Sequence, residues 1–336
     1  MAVSVRDVAL RAGVAVGTVS NVLNRPERVS PDVLARVLAA IDELDFVRND
    51  AARQLRSGRS ASIGAVMIDL RNPFFIDVAR GAEDRATEDA LAVTLGNSDH
   101  DFARQLAYLD LFEQQRVQGV LITPFGDIHE RLVRLKRRGT PVVLIGRGVT
   151  DPAFSLVSDD DLAGGRLAVE HLIAQGRRRI AFVGDVEWNA HIIDRLAGAR
   201  AAVEDHPGVS LEIIPITALD VDNGKYAGGL VSDRPAADRP DAIFAANDLV
   251  AMGVLQALIM QGRIDVPGDV AVVGYDDIDF ARAAVVPLST IRQPTALIGQ
   301  TAVELLVDEA ADPNRTPRQT VFTPELVVRE STWATA

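Results

Sequence analysis

Carboxylates, amides and guanidinium groups recur just after apolar runs in this 336-residue chain, and they are its candidates for chemistry. Asp69, Asn72, Pro73, Phe74 and Phe75 follow Ile63–Ile68, and Arg147 follows Val142–Ile145. Asp185, Trp188, Asn189 and His191 follow Ile180–Val183. Asn247 and Asp248 follow Ala242–Ala245, Asp276 and Asp277 follow Val270–Val273, and Gln293 follows Ile291. If the runs are strands of open parallel sheets, ligands bind outside their carboxyl ends. These groups then converge on one cleft. Planar polar groups make paired hydrogen bonds to neighbouring hydroxyls. Phe74 and Phe75 supply apolar faces for the C–H side of a sugar ring, and suit a nucleobase equally.

Each residue also has a plainer role. Asn247 is a good cap for a helix starting at Leu249, and Asp276 suits the Gly274-Tyr275-Asp276-Asp277 turn. Phe74 and Phe75 have the composition of core residues, and Arg147 that of a surface charge. His191 fits the exposed start of a helix. Asp159, Asp160 and Asp161 look like a metal run but read better as acidic charge before a helix at Leu162. The five histidines (100, 129, 171, 191, 206) have no ligand spacing. Phosphate-loop, nucleophile-elbow, zinc-protease and dinucleotide motifs do not occur. The expectation is a binding protein with no cofactor and no metal, not an enzyme.

The elements that would position these groups alternate between strand-like runs and helical stretches from Ser62 onward. That pattern means parallel sheets with helices on both faces. The length suggests two similar lobes, with crossings near Val157–Asp161, Ser289–Ile291 and Val321–Glu325, and a helix over Pro294–Glu309.

Residues 1–47 differ. Ser4 with Asp7 is a capping box using Asp, and Val5, Val8, Ala9 and Ala12 keep helical spacing. Gly13 suits a left-handed stop. A second helix runs Val16–Leu23, with Val19, Val22 and Leu23 inward and Gly17, Thr18, Ser20 and Asn21 outward. Ser30 is expected to cap a third helix over Pro31–Leu44. This is the helix-turn-helix plan, whose second helix enters the major groove.

The pattern D-V-A-x-x-A-G-V-x-x-x-T-V-S-x-V-L-N from Asp7 to Asn24, followed by matching positions from Val29 to Leu55, resembles the headpiece and hinge of the LacI/GalR family of transcription factors. The resemblance implies a headpiece at 1–47, a hinge and linker at 48–60, and a two-lobed, periplasmic-binding-protein-like core at 61–336. The first lobe would take about 61–157 and 292–320, the second about 158–291 and 321–336. The fold class is therefore α/β with a small all-α headpiece.

By the same resemblance, Val16, Gly17 and Asn21 face bases, while Thr18 and Ser20 lie partly on phosphate. Ser4, Asn24 and Asn49 complete that DNA-binding set. Asn49–Arg56 would fold as a hinge helix only when two copies meet on DNA. Leu55 would then wedge into the minor groove, Ala52 would allow close approach of the two hinges, and Arg53 or Arg56 would meet phosphate. Asn72, Arg147, Asn247, Asp276 and Gln293 match hydroxyl-binding positions of ribose-type proteins, with Phe74 and Phe75 sandwiching the ring. Four positions depart from the pattern. Ala15 lacks a capping oxygen, Arg48 stands where Pro is common, Gly146 where Asp is common, and Asn189 or His191 near a usual Arg.

Formal net charge is −12, yet residues 1–60 hold nine arginines against seven acids. A mildly basic headpiece on an acidic body predicts weak non-specific DNA affinity and reliance on dimerisation. A symmetric homodimer implies a palindromic operator. No leucine heptads follow Arg329. The chain has no cysteine, no secretory leader and no membrane-length apolar run, so the cytoplasm is the expected compartment and no membrane partner is expected. The function expected is a repressor controlled by a small sugar. The alternatives are a nucleoside- or purine-responsive regulator and, from another class, a sugar-binding transport component.

Overall fold

A computed structural model describes residues 3–46, 60–146, 152–185 and 190–333 of the chain. It forms two compact units, Met1–Ser60 and Ala61–Ala336.

The first unit is trihelical: α1 (Val5–Ala12), α2 (Val16–Asn24) and α3 (Pro31–Glu43). The capping box forms as the sequence suggests: Ser4 N donates to Asp7 Oδ2 at 2.8 Å and Asp7 N to Ser4 Oγ at 3.4 Å. Gly13 ends α1 at φ 65°. Ala15 gives α2 no side-chain cap. Ser30 stands at the N-cap of α3, but its side chain makes no capping bond, which corrects the expectation for it. Val8, Ala9, Ala12, Val19, Val22, Val37, Ala40 and Phe46 form one small core. The Arg11–Glu43 ion pair ties α1 to the end of α3.

In the second unit, β1 (Ser62–Met67), β2 (Ala92–Asn97), β3 (Val120–Ile122), β4 (Val142–Ile145) and β5 (Ser155–Asp159) build the first lobe. They alternate with α4 (Pro73–Glu88), α5 (Phe102–Gln114) and α6 (His129–Arg137). The second lobe holds β6 (Arg179–Gly184), β7 (Ser210–Pro215), β8 (Ala242–Ala245), β9 (Ala271–Asp276) and β10 (Ser289–Arg292). Its helices are α7 (Asp161–Ala174), α8 (Ala190–Glu204), α9 (Val221–Ser232) and α10 (Asp248–Gln256), the last continued by a π turn over Ala257–Gln261. Then α11 (Thr295–Ala311) returns to the first lobe, and β11 (Gln319–Phe322) and β12 (Glu325–Val327) complete one sheet each.

The sheet orders are β11-β5-β4-β3-β1-β2 and β12-β10-β9-β8-β6-β7, parallel except for β12 on β10. Inner strands such as β3, β4, β8 and β9 are buried along their whole length. Two-faced burial is why they read as unbroken apolar runs. Two segments expected as crossings are strands: Ser155–Asp159 lies in the first sheet and Ser289–Arg292 in the second. The third crossing turns at Thr323-Pro324, between β11 and β12. Hence 158–159 and 321–322 pair in the first sheet, and 292 in the second.

Glycines set the distance between α7 and α8. A Cβ on Gly165 would lie 2.0 Å from the carbonyl oxygen of Arg195, and one on Gly198 2.0 Å from that of Leu162. Neither helix accepts a side chain there, so the backbones touch. Among the described residues no helix is long and apolar enough to cross a membrane.

Candidate functional site

The headpiece presents the outer face of α2. Val16 is 45% exposed, and Gly17, Asn21 and Asn24 are also exposed, while Val19 and Val22 hold the helix to the core. Thr18 and Ser20 are half-buried, and Ser4 is exposed at the start of α1. Asn24 Nδ2 donates to Ser20 O at 2.7 Å, which closes the last turn. A Cβ on Gly17 would meet nothing within 4 Å. The face at that point is bare backbone open to a groove. Asn49, Ala52, Arg53, Leu55 and Arg56 fall outside the described residues.

Between the lobes lies a cavity of about 700 Å³, open to solvent. Asn72, Phe74, Phe75, His191, Asn247, Asp276 and Gln293, all singled out from sequence, line it. Asp69 lines it too. Asp248 and Asp277 are used elsewhere. Asp248 accepts from Thr290 Oγ1 at 2.6 Å and from Ile278 N at 2.9 Å, inside the second lobe. Asp277 pairs with Arg292 and Arg329, each at 2.7 Å. Asp185 is not in the wall. Arg147, Trp188 and Asn189 fall outside the described residues.

Several wall residues keep their plainer role as well. Asn247 Oδ1 caps α10 by accepting from Val250 N at 2.9 Å, and Nδ2 donates to Leu219 O. Asn72 Oδ1 caps α4 by accepting from Phe74 N at 3.0 Å, while Nδ2 reaches across the cleft to Asp276 Oδ2 at 3.1 Å. Phe74 and Phe75 pack on the first-lobe core and also face the cavity. Their rings meet edge to face, 5.0 Å apart at 85°. Perpendicular rings that close leave no slot for a third ring. They form a corner, so the expected sandwich does not exist between these two.

Asp276 sits at φ 115°, a backbone strain that aims its carboxylate into the cavity. Gln293 Nε2 donates to its Oδ1 at 2.8 Å, and Arg195 lies 3.9 Å away. Burial raises the Asp276 pKa to about 6 against the pull of Arg195, Asn72 and Gln293.

Arg195 is the main residue that sequence reasoning missed. Its Nε donates to Asp161 Oδ1 at 2.7 Å, its Nη1 to Ala246 O at 2.7 Å, and its guanidinium lies 3.5 Å over the Tyr275 ring. A buried guanidinium therefore does stand in this wall, supplied one helical turn beyond His191. The signal was available as helical spacing, since 191 and 195 share a face of α8.

The three consecutive acids have three jobs. Asp160 caps α7 by accepting from Ala163 N, as expected of helix-start charge. Asp159 accepts from Tyr275 Oη at 2.9 Å, and burial together with the Asp161 charge pushes its pKa up to about 7. Asp161 accepts from Arg195 and, at 2.5 Å, pairs with His191 Nδ1. Burial alone would raise its pKa, but Arg195 and His191 outweigh that and hold it near 2. Burial likewise would lower the His191 pKa, and the Asp161 charge and hydrogen bond raise it instead.

Asp159, Asp161 and His191 bring ligand atoms within 4.8 Å of one another. Both oxygens of Asp161 are already engaged, and the cation beside them is Arg195. The donor set makes a salt-bridge network rather than a metal cradle. Gly146 faces His191: a Cβ there would lie 2.5 Å from Nε2, so two of the departures noted in the sequence touch across the cleft.

Residues 4–49 match the family described as "Bacterial regulatory proteins, lacI family", and residues 169–332 match "Periplasmic binding protein-like domain". The ribose operon repressor of Escherichia coli K12 is 33% identical over 333 residues, covering 98% of this chain and 99% of that one. The HTH-type transcriptional repressor PurR of Photobacterium profundum is 32% identical over 330 residues, covering 98% of each. Among solved structures, the Lac repressor dimer bound to operator and an anti-inducer aligns with a TM-score of 0.85 at 26% identity, over 99% of this chain and 100% of that one. With an exposed reading helix, a two-lobed core and similarity along its whole length, this chain belongs to the LacI family of bacterial transcriptional regulators.

Proposed function

We propose that the chain is a homodimeric repressor whose affinity for a palindromic operator is set by a small sugar held between the lobes of the core. The observation that carries this is the pairing, on one chain, of an exposed α2 face with a cavity walled by Asp276, Asn247 and Arg195. In the headpiece, Val16 meets a thymine methyl and Asn21 a base edge, Gly17 lets the helix approach closely, and Thr18, Ser20, Ser4 and Asn24 position the backbone. The hinge residues Asn49, Ala52, Arg53, Leu55 and Arg56 keep the roles inferred from sequence, as do Arg147 and Asn189 toward the ligand. Asn72–Asp276 and Asp159–Tyr275 join the lobes, so a ligand that competes for these groups changes the angle between the lobes. That change alters the spacing of paired hinges and hence operator affinity. The working compartment would be the cytoplasm, where operator DNA is found.

The test is selection of an operator from random duplexes, then mobility shift with pentoses and hexoses. A coupling of about 1–3 kcal/mol, a change of about 5- to 150-fold, is expected. Failure to select any palindrome, or an affinity indifferent to every sugar, refutes the reading. A second reading is a nucleoside or purine acting as corepressor, since one face of Phe74 or Phe75 suits a base as well as a sugar. Calorimetry with nucleosides beside sugars separates the two.

A further inference from the structure

The first-lobe wall of the cavity mixes the aliphatic Ile68, Ile145, Val157 and Ile298 with the polar Asp69, Asn72, His100, Ser158 and Asp159. Thr123, immediately after β3, belongs to the same wall. It is 5% exposed, lines the cavity, and its Oγ1 is buried with no hydrogen-bond partner among the described residues. Thr123 N donates to Val66 O at 2.9 Å, extending the β1–β3 ladder by one residue. Strands β1 and β3 are also where the order of the first sheet reverses, and open sheets bind ligands at such points. On the opposite wall, Asn247, Asp276 and Arg195 already hold partners inside the protein. A buried hydroxyl left unpaired in a native protein calls for an explanation, and a ligand atom supplies one.

We propose that Thr123 is a specificity-determining residue whose hydroxyl pairs with a polar group on the side of the effector that faces the first lobe. The inference rests on the cavity being the effector site, and it narrows the ligand class. Hydroxyls of the effector face Asp276, Asn247 and Arg195, and a further hydrogen-bonding group on its other side faces Thr123. A hydroxymethyl arm, a ring hydroxyl or a base carbonyl all meet that description, because a threonine hydroxyl both donates and accepts.

Calorimetry with D-ribose, D-xylose, D-glucose, L-arabinose, D-galactose and uridine on wild type, Thr123→Val and Thr123→Ser tests it. For the tightest wild-type binder, Thr123→Val is expected to weaken affinity about tenfold, the size of one net hydrogen bond. Thr123→Ser is expected to keep affinity within about threefold, since the hydroxyl remains. The ligand-free melting midpoint of Thr123→Val is expected to stay level or rise, because no internal bond is lost. Unchanged affinity in Thr123→Val overturns the inference alone and leaves the effector site standing. So does a marked fall in its ligand-free midpoint, which would mark a structural role. Binding of no panel member by wild type sinks the sugar reading and the inference together.

Discussion

Replacing Arg195 by leucine should reveal how the cavity wall is held. Arg195 is 6% exposed and Asp161 3% exposed, and their contact is 2.7 Å. Without Arg195, Asp161 keeps only His191, on its other oxygen. Breaking a buried pair in this way costs about 3–5 kcal/mol, because an uncompensated charge stays behind. At about 2–4 °C per kcal/mol for a domain of this size class, the core's thermal midpoint should fall by about 6–20 °C. The fall should also depend on pH. An Asp161 carboxyl stripped of its cation has a raised pKa in the folded state, so its protonated form is favoured on folding. Its penalty is then smallest at low pH and grows as pH rises through the folded value. The Arg195→Leu deficit should therefore be larger at pH 7.5 than at pH 5. The double variant Asp161→Leu/Arg195→Leu removes the stranded charge and should recover half or more of the loss. Thermal denaturation followed by circular dichroism at both pH values measures all three. A single-variant loss below about 2 °C, or a double variant as unstable as the separate losses added together, would refute the argument.

Three other outcomes follow from the geometry. Gly146→Ala places a Cβ 2.5 Å from His191 Nε2 at a φ of 78°; the left-handed backbone costs about 1–2 kcal/mol, and His191→Ala in the same chain should relieve only the collision, as paired melting curves will report. Because the Asp276 pKa stands at about 6, a sugar that donates hydroxyls to the ionised carboxylate should bind about tenfold more weakly at pH 5 than at pH 7, since the ionised fraction falls in that window; isothermal titration should find this dependence gone in Asp276→Asn. Ala15→Ser supplies the capping oxygen that α2 lacks and should stabilise the headpiece by about 1 kcal/mol in a urea titration.

Sequence was most informative where apolar runs set strands, and least where a residue worked from inside a helix. Asp276, Asn247, Asn72 and Gln293 were found because they follow strands or strand-like runs, and the cavity lies at those ends. Arg195 and Asp161 sit within α8 and α7, where a charged residue looks like ordinary helix surface until the partner helix is placed. Thr123 obeys the strand-end rule but follows one of the shortest strands, and a lone hydroxyl carries little signal. Helix starts depend on such local caps as well: Asp220 caps α9 by accepting from Asn223 N, which fixes its start at Val221. Strands β5 and β10 read as crossings because each leads directly out of its lobe. The edge-to-face pose of Phe74 and Phe75 depends on side-chain torsions, which no spacing records.

The two backbones that meet at Gly165 and Gly198 carry Asp161 on one side and His191 and Arg195 on the other. They behave as one cassette, assembled before any ligand arrives, so the ordering entropy of these charges is settled during folding rather than on binding. A change of effector can then be written in the strand-end residues around the cassette, while the cassette itself passes from one specificity to the next unaltered.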